Sequence, residues 1–130
     1  MDNSSLDSIR EYGNKPNFSL EELDDAFVLS FSKNDLVFKI TVAYSALEWF
    51  LEIERPESEL KFSDWCDYLG YDDRPESVLE AEMVDHLHRL ITALQNHQFR
   101  LKKGKNFLNP GDNCECLVNN KWVKFDYGKT

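Results

Sequence analysis

The residues of this sequence that could hold a metal ion are its three histidines and three cysteines. His86 and His88 are two residues apart, so on a helix they point about 200° away from each other. His97 falls on a similar face to His86 but about three turns further along, beyond the reach of one ion. The sequence contains neither an HExxH motif nor a four-ligand set with familiar spacing. We therefore expect no metal ion and no cofactor.

Cysteine chemistry is the next possibility. An odd count of cysteines argues against a disulfide framework. Cys114 and Cys116 are separated by one residue, which places both thiols on the same face of a strand. We expect reduced, structural cysteines, with a metal or redox pair as the alternative. Cys66 could act as a nucleophile with a histidine, but the carboxylates of Asp64 and Asp67 disfavour its thiolate.

Carboxylate pairs could supply a general acid and a general base. Asp72 with Asp73, or Glu57 with Glu59, would serve that purpose, although a run of charges in a loop is more often only solvated. No glycine-rich loop is present to hold a phosphate, and no serine, histidine and acid set has a recognisable spacing. The chain is therefore predicted not to be an enzyme, and an enzyme of unfamiliar type is the alternative.

The charge of the chain is distributed unevenly. Met1 to Asp85 contains 21 acidic and 7 basic residues, whereas His86 to Thr130 contains 3 acidic and 8 basic ones. A net charge of −9 repels nucleic acid and favours a basic protein as partner. The alternative is that the acidity serves solubility alone.

The length predicts one domain spanning residues 1–130. No apolar run approaches the roughly 18 to 20 residues that a membrane-spanning helix needs. The N-terminal residues also lack the basic start and apolar stretch of a secretory signal. We therefore expect a cytoplasmic protein that does not contact a membrane.

Three segments alternate between apolar and polar residues with a period of two. They are Phe27–Phe31, Leu36–Ala43 and Leu47–Glu54, and this pattern predicts half-buried strands. The short connections between them favour an antiparallel meander. Near the C-terminus, Asn119-Asn120 predicts the turn of a further hairpin, and Asn109–Asp112 predicts a turn.

The longest helix is predicted to begin at Ser77, with Glu80 at the capping-box position. Its apolar stripe extends over four to five turns to Leu94. Capping and stop residues predict three shorter helices, over residues 6–12, 20–25 and 63–69. Residues 99–103 are either extended or the end of the long helix. The fold class is therefore α+β: a meander of three or more strands plus the C-terminal hairpin, packed against one long helix and short helices.

The segment from Glu57 to Glu76 combines carboxylates with aromatic rings, as protein docking surfaces do. The residues that we predict to bind a partner are Asp64, Trp65, Asp67, Tyr68, Tyr71, Asp72 and Asp73. In the alternative interpretation, Trp65 and Leu69 belong to the core, while Tyr68 and Tyr71 cover its edge. A competing docking surface is the strand face that carries Glu48, Glu52 and Glu54.

The size, the acidic charge, the segment FSDWCDYLGYDD and the lack of catalytic motifs together resemble the small acidic immunity proteins of bacterial toxin systems, including contact-dependent growth inhibition. The resemblance implies a non-enzymatic protein that neutralises a cognate toxin, often a basic nuclease, by covering its active site or substrate groove. It also implies that carboxylates such as Asp64 and Asp67 stand where nucleic-acid phosphates would bind. The other function that we consider is an adaptor or structural interaction module.

Overall fold

The computed structural model of the chain describes residues 4–69, 73–103 and 113–125. It confirms the α+β class, with two antiparallel sheets, one long helix and short helical turns. Two of the predicted site residues, Tyr71 and Asp72, and the predicted turn at Asn109–Asp112 lie outside the described residues.

The larger sheet is a meander of five strands that pair in chain order. The strands are β1 (Phe18–Glu22), β2 (Phe27–Lys33), β3 (Leu36–Ala43), β4 (Glu48–Glu54) and β5 (Lys61–Asp67). The three strands predicted from alternation are therefore present as β2, β3 and β4. The outer two, β1 and β5, form the edges of the sheet.

The smaller sheet contains β6 (Phe99–Lys102), β7 (Asn113–Val118) and β8 (Lys121–Lys124), with β7 in the middle. β7 and β8 form the predicted C-terminal hairpin. Asn119 and Asn120 at its turn have φ angles of 52° and 65°, a conformation that asparagine tolerates better than most residues. The hairpin pairs with β6 and belongs to this second sheet rather than to the meander.

Helix α1 (Asp7–Arg10) is a single turn between two 3₁₀ turns, Ser4–Leu6 and Glu11–Asn14, which confirms the predicted opening helix. Helix α2 (Glu76–Asn96) is the predicted long helix. It begins one residue before the predicted start, and Pro75 at its N-cap makes no side-chain capping bond.

A single hydrophobic core joins the meander to α2. The strands contribute every second residue to the inner face of the sheet, which is the face turned toward the core. The buried side chains of the two layers are Phe27, Leu29, Phe31, Leu36, Phe38, Ile40, Val42, Trp49, Leu51 and Ile53 from the sheet, and Leu79, Met83, Leu87, Leu90, Ile91, Ala93 and Leu94 from the helix. The stripe predicted for the long helix therefore packs as expected.

Two of the predicted short helices are wrong. Residues 20–25 include the end of β1, and residues 63–69 include most of β5. Both segments carry local capping residues, but residues 20–22 pair with β2 and residues 63–67 pair with β4. The backbone hydrogen bonds and the burial gained by that pairing outweigh local helix propensity.

Lys33, at the end of β2, caps the C-terminus of α2. Its Nζ atom donates hydrogen bonds to the carbonyl oxygens of Leu94, Gln95 and His97 at 2.5, 3.1 and 2.5 Å. The last carbonyls of a helix have no partner within the helix and carry partial negative charge. Burial lowers the pKa of Lys33 from its usual value. Hydrogen bonds to the three carbonyl oxygens replace those that the exposed ammonium group would make with water.

Candidate functional site

The outer face of the meander carries the most exposed tryptophan described in the structure. Trp65 on β5 is 55% exposed, and Phe50, its register partner on β4, is 38% exposed. Thr41 on β3 pairs in turn with Phe50. Side chains of register partners lie on the same face of a sheet, so the two rings and the threonine form one row across three strands.

Carboxylates flank this row. Glu48 pairs with Asp67 on one side of it, and Glu52 lies on the other side. Lys61 forms an ion pair with Glu52, with 2.9 Å between Nζ and Oε2. This hydrogen bond, with the charge of Glu52, raises the pKa of Lys61. We use the name Trp65 face for the outer-face residues of β4 and β5: Glu48, Phe50, Glu52, Glu54, Lys61, Ser63, Trp65 and Asp67.

The Trp65 face unites two surfaces that the sequence presents as competitors. One was the acidic and aromatic segment from Glu57 to Glu76, and the other was the polar side of the third predicted strand. Because β5 pairs with β4 along seven residues, Trp65 and Asp67 lie beside Glu48 and Glu52. The register between the two strands, which no local pattern reveals, creates a single surface from both.

Three of the other predicted site residues lie elsewhere. Asp64 is the register partner of Leu51, so it lies in an inward-facing row at the sheet edge. Its Oδ1 atom accepts a hydrogen bond from the backbone N–H of Trp65 at 2.8 Å. Asp73 is exposed in the connection to α2. Of the five predicted residues that the structure describes, it therefore brings only Trp65 and Asp67 together on the outer face.

Tyr68, the third, is buried, with 6% of its surface exposed. Its hydroxyl group lies 3.1 Å from Nε1 of Trp49 and 2.8 Å from Nδ1 of His86. Because an indole N–H can only donate, the hydroxyl accepts from Trp49, and it shares a second hydrogen bond with His86. The ring of Tyr68 therefore joins β5 to α2 and is not presented to a partner. The alternative interpretation is wrong for Trp65 and Leu69, which are exposed, and for Tyr68, which is buried. Its fourth residue, Tyr71, lies outside the described residues.

Two of the histidines, His86 and His88, make side-chain hydrogen bonds, and two of the cysteines are buried. His88 lies between the hydroxyls of Ser8 and Tyr12, each at 3.0 Å. Cys114 and Cys116 are buried, and burial is the largest cause that raises the pKa of Cys114 to about 12. A thiol with that pKa stays protonated and is a poor nucleophile. Within the described ranges, no group of three metal-ligating side chains comes together.

A cleft of about 760 Å³ lies at one end of the meander, between the β2–β3 turn and the loop after β4. Its walls include Lys33, Asp35, Arg55 and Glu57, and they include neither Cys66 nor a histidine. The Nε atom of Arg55 is buried there without a hydrogen-bond partner. The cleft therefore does not bring Cys66 together with a histidine, although it does contain the carboxylates of Asp35 and Glu57.

The comparisons with known proteins give no family assignment. The chain matches no protein-family model, no curated protein and no solved structure. In the part of the chain that the structure describes, no helix is both long enough and apolar enough to span a membrane.

Proposed function

We propose that this chain is a non-enzymatic binding protein that uses the Trp65 face to hold a basic protein. The observation that supports the proposal best is the exposure of Trp65 and Phe50 on a sheet face whose neighbouring side chains are mainly carboxylates. Tryptophan is among the residues that dominate the energy of protein interfaces when a partner excludes water from it.

Charge complementarity favours a basic partner. Glu48, Glu54 and Asp67 contribute negative charge to the face, and Lys61 is neutralised by Glu52. Carboxylates at the rim of such an interface accelerate association with a positively charged surface, and salt weakens the effect. The excess of acidic residues from Met1 to Asp85 also gives the part of the chain that contains the meander a negative net charge.

The resemblance to immunity proteins narrows the kind of partner. We propose a toxin domain, in particular a nuclease, whose basic groove normally holds nucleic-acid phosphates. In this proposal the carboxylates of the Trp65 face occupy the phosphate positions, and Trp65 excludes water from the centre of the contact. The chain would then act in the cytoplasm and would inhibit by covering the groove.

The experiment is a titration of the chain with the purified toxin domain encoded beside its gene. Calorimetry at low salt should detect a complex, and the toxin should lose activity at equal concentrations. The variant W65A should weaken binding by roughly thirtyfold, as expected for loss of a tryptophan hot spot worth about 2 kcal/mol. A matched control is V78A, because Val78 is 45% exposed but lies on α2, which packs against the opposite face of the sheet.

Absence of a complex at low salt would contradict the proposed function. A complex that W65A and V78A weaken equally would contradict the Trp65 face as its site. Tight, W65A-sensitive binding to a basic protein without toxic activity would instead indicate the adaptor function.

A further inference from the structure

Among the described residues β5 is an edge strand of the meander, and the side of β5 that faces away from β4 can be identified from its hydrogen bonds. The N–H of Tyr68 donates to the carbonyl oxygen of Leu47, just before β4, at 3.0 Å. Backbone groups alternate between the two sides of a strand, so even-numbered residues here bond toward β4. The N–H groups of Ser63, Trp65 and Leu69 therefore point away from the sheet, where another strand could bond to them.

Two aspartates occupy donors on this side. Asp64 Oδ1 accepts from the N–H of Trp65 at 2.8 Å, and Asp67 Oδ1 accepts from the N–H of Leu69 at 3.0 Å. An incoming strand would have to replace both bonds. Asp64 is also a charged residue in an inward-facing row of an edge strand, a position that natural sheets use to discourage pairing with other chains.

Strand β5 of a second copy of the chain would complement β5 in the charges of its side chains. In antiparallel pairing centred on residue 64, Lys61 of each copy lies opposite Asp67 of the other copy. Ser63 of each copy likewise lies opposite Trp65 of the other copy. These odd-numbered residues are the ones whose backbone groups point away from β4, toward the new interface. The same register places Asp64 opposite Asp64 in a non-hydrogen-bonded pair, where Cβ atoms are only about 4.5–5.5 Å apart.

We propose that Asp64 keeps the β5 edge closed to a second copy of this chain. It does so by occupying the N–H of Trp65 and by placing like charges opposite each other in the register that suits the rest of the strand. This proposal does not rest on the proposed function, because it concerns association of the chain with itself. It also implies that a partner contacts the Trp65 face through side chains rather than by adding a strand.

The experiment compares the self-association of four proteins by sedimentation velocity over a wide range of concentration. They are the wild type, D64A, D64N and the control D73A. D64A removes both the charge and the acceptor, whereas the asparagine of D64N keeps an oxygen that can accept from Trp65. Asp73 is exposed outside β5, so D73A changes the net charge as D64A does without altering the edge.

We expect D64A to associate at least about tenfold more strongly than the wild type and D73A, with D64N between D64A and the wild type. In the D64A dimer, hydrogen exchange at the Trp65 amide should slow as concentration rises, which identifies β5 as the interface. Far-ultraviolet circular dichroism establishes that each variant is folded. Should D64A and D64N both remain as monomeric as the wild type, or should D73A associate equally, the proposal is wrong.

Discussion

The two faces of the five-stranded meander are made by alternate residues of the same strands, yet they have opposite character. On the inner face, Phe38 and Trp49 are fully buried. On the outer face, Phe50 and Trp65 remain exposed among carboxylates. The residues that stabilise the sheet therefore lie on one face, and those of the proposed binding site lie on the other. Each can then be changed with little effect on the other.

The largest expected effect is on the inner face. Phe38 stacks on Phe31, with 4.8 Å between ring centroids, and meets the edge of Phe99 at 5.6 Å. F38A should lower the free energy of unfolding by about 3–5 kcal/mol, because it removes a large buried ring and leaves a cavity. Urea denaturation measures this loss. A loss below about 1 kcal/mol would show that the inner face does not carry the stability.

The next effect concerns the hydrogen bonds behind the Trp65 face. Y68F should lower the free energy of unfolding by about 1–3 kcal/mol, because it removes the hydroxyl that accepts a hydrogen bond from the buried indole N–H of Trp49. The matched control is Y12F. Tyr12 also bonds to a histidine, His88, but at a partly buried site where Ser8 supplies a second hydroxyl. Equal losses for both variants would contradict a special role for the Tyr68 hydroxyl.

On the outer face, the expected change in stability is small. W65A should alter the free energy of unfolding by less than about 1 kcal/mol, since it removes one cross-strand pair at an exposed site. The same urea measurement checks it. A loss similar to that of F38A would mean that Trp65 is a structural residue, and the contrast between the faces would fail.

The smallest effect concerns an ion pair on the other sheet. Arg100 donates to Glu115 at 2.7 Å, and this hydrogen bond lowers the pKa of Glu115. A carboxylate with a lowered pKa in the folded state stabilises above its unfolded pKa, and that contribution is lost as the pH falls. E115Q lacks this contribution. Its free energy of unfolding should therefore fall less steeply than that of the wild type as the pH drops below about 4.3. An equally steep fall in the two proteins would contradict this role. At neutral pH, E115Q should leave binding at the Trp65 face unchanged.

The sequence predicts most of the architecture because the alternation in β2, β3 and β4 and the stripe of α2 are strong local patterns. It predicts β5 wrongly because Phe62, Trp65 and Leu69 have helical spacing, and Ser63 is a reasonable cap. Only pairing with β4, which is a non-local interaction, makes the segment a strand.

That error also explains why the predicted site residues do not all lie on one face. On a helix Trp65 and Leu69 would share the inward stripe, whereas on a strand the period of two turns Trp65 outward and directs Tyr68 inward. The acidic partners of Trp65 could not be predicted either. Glu48 and Glu52 come beside it through the register of β4 and β5, and no residue near Trp65 in sequence specifies that register.

The hydrogen bonds of Lys33 affect which parts of the protein unfold together. Lys33 connects the β2–β3 hairpin to the last turn of α2, which lies 61 or more residues further along the chain. Releasing the ammonium group exposes three carbonyl oxygens at once, so the hairpin tip and that turn form one cooperative unit. Their backbone amides should exchange with solvent together, although they belong to different layers of the fold.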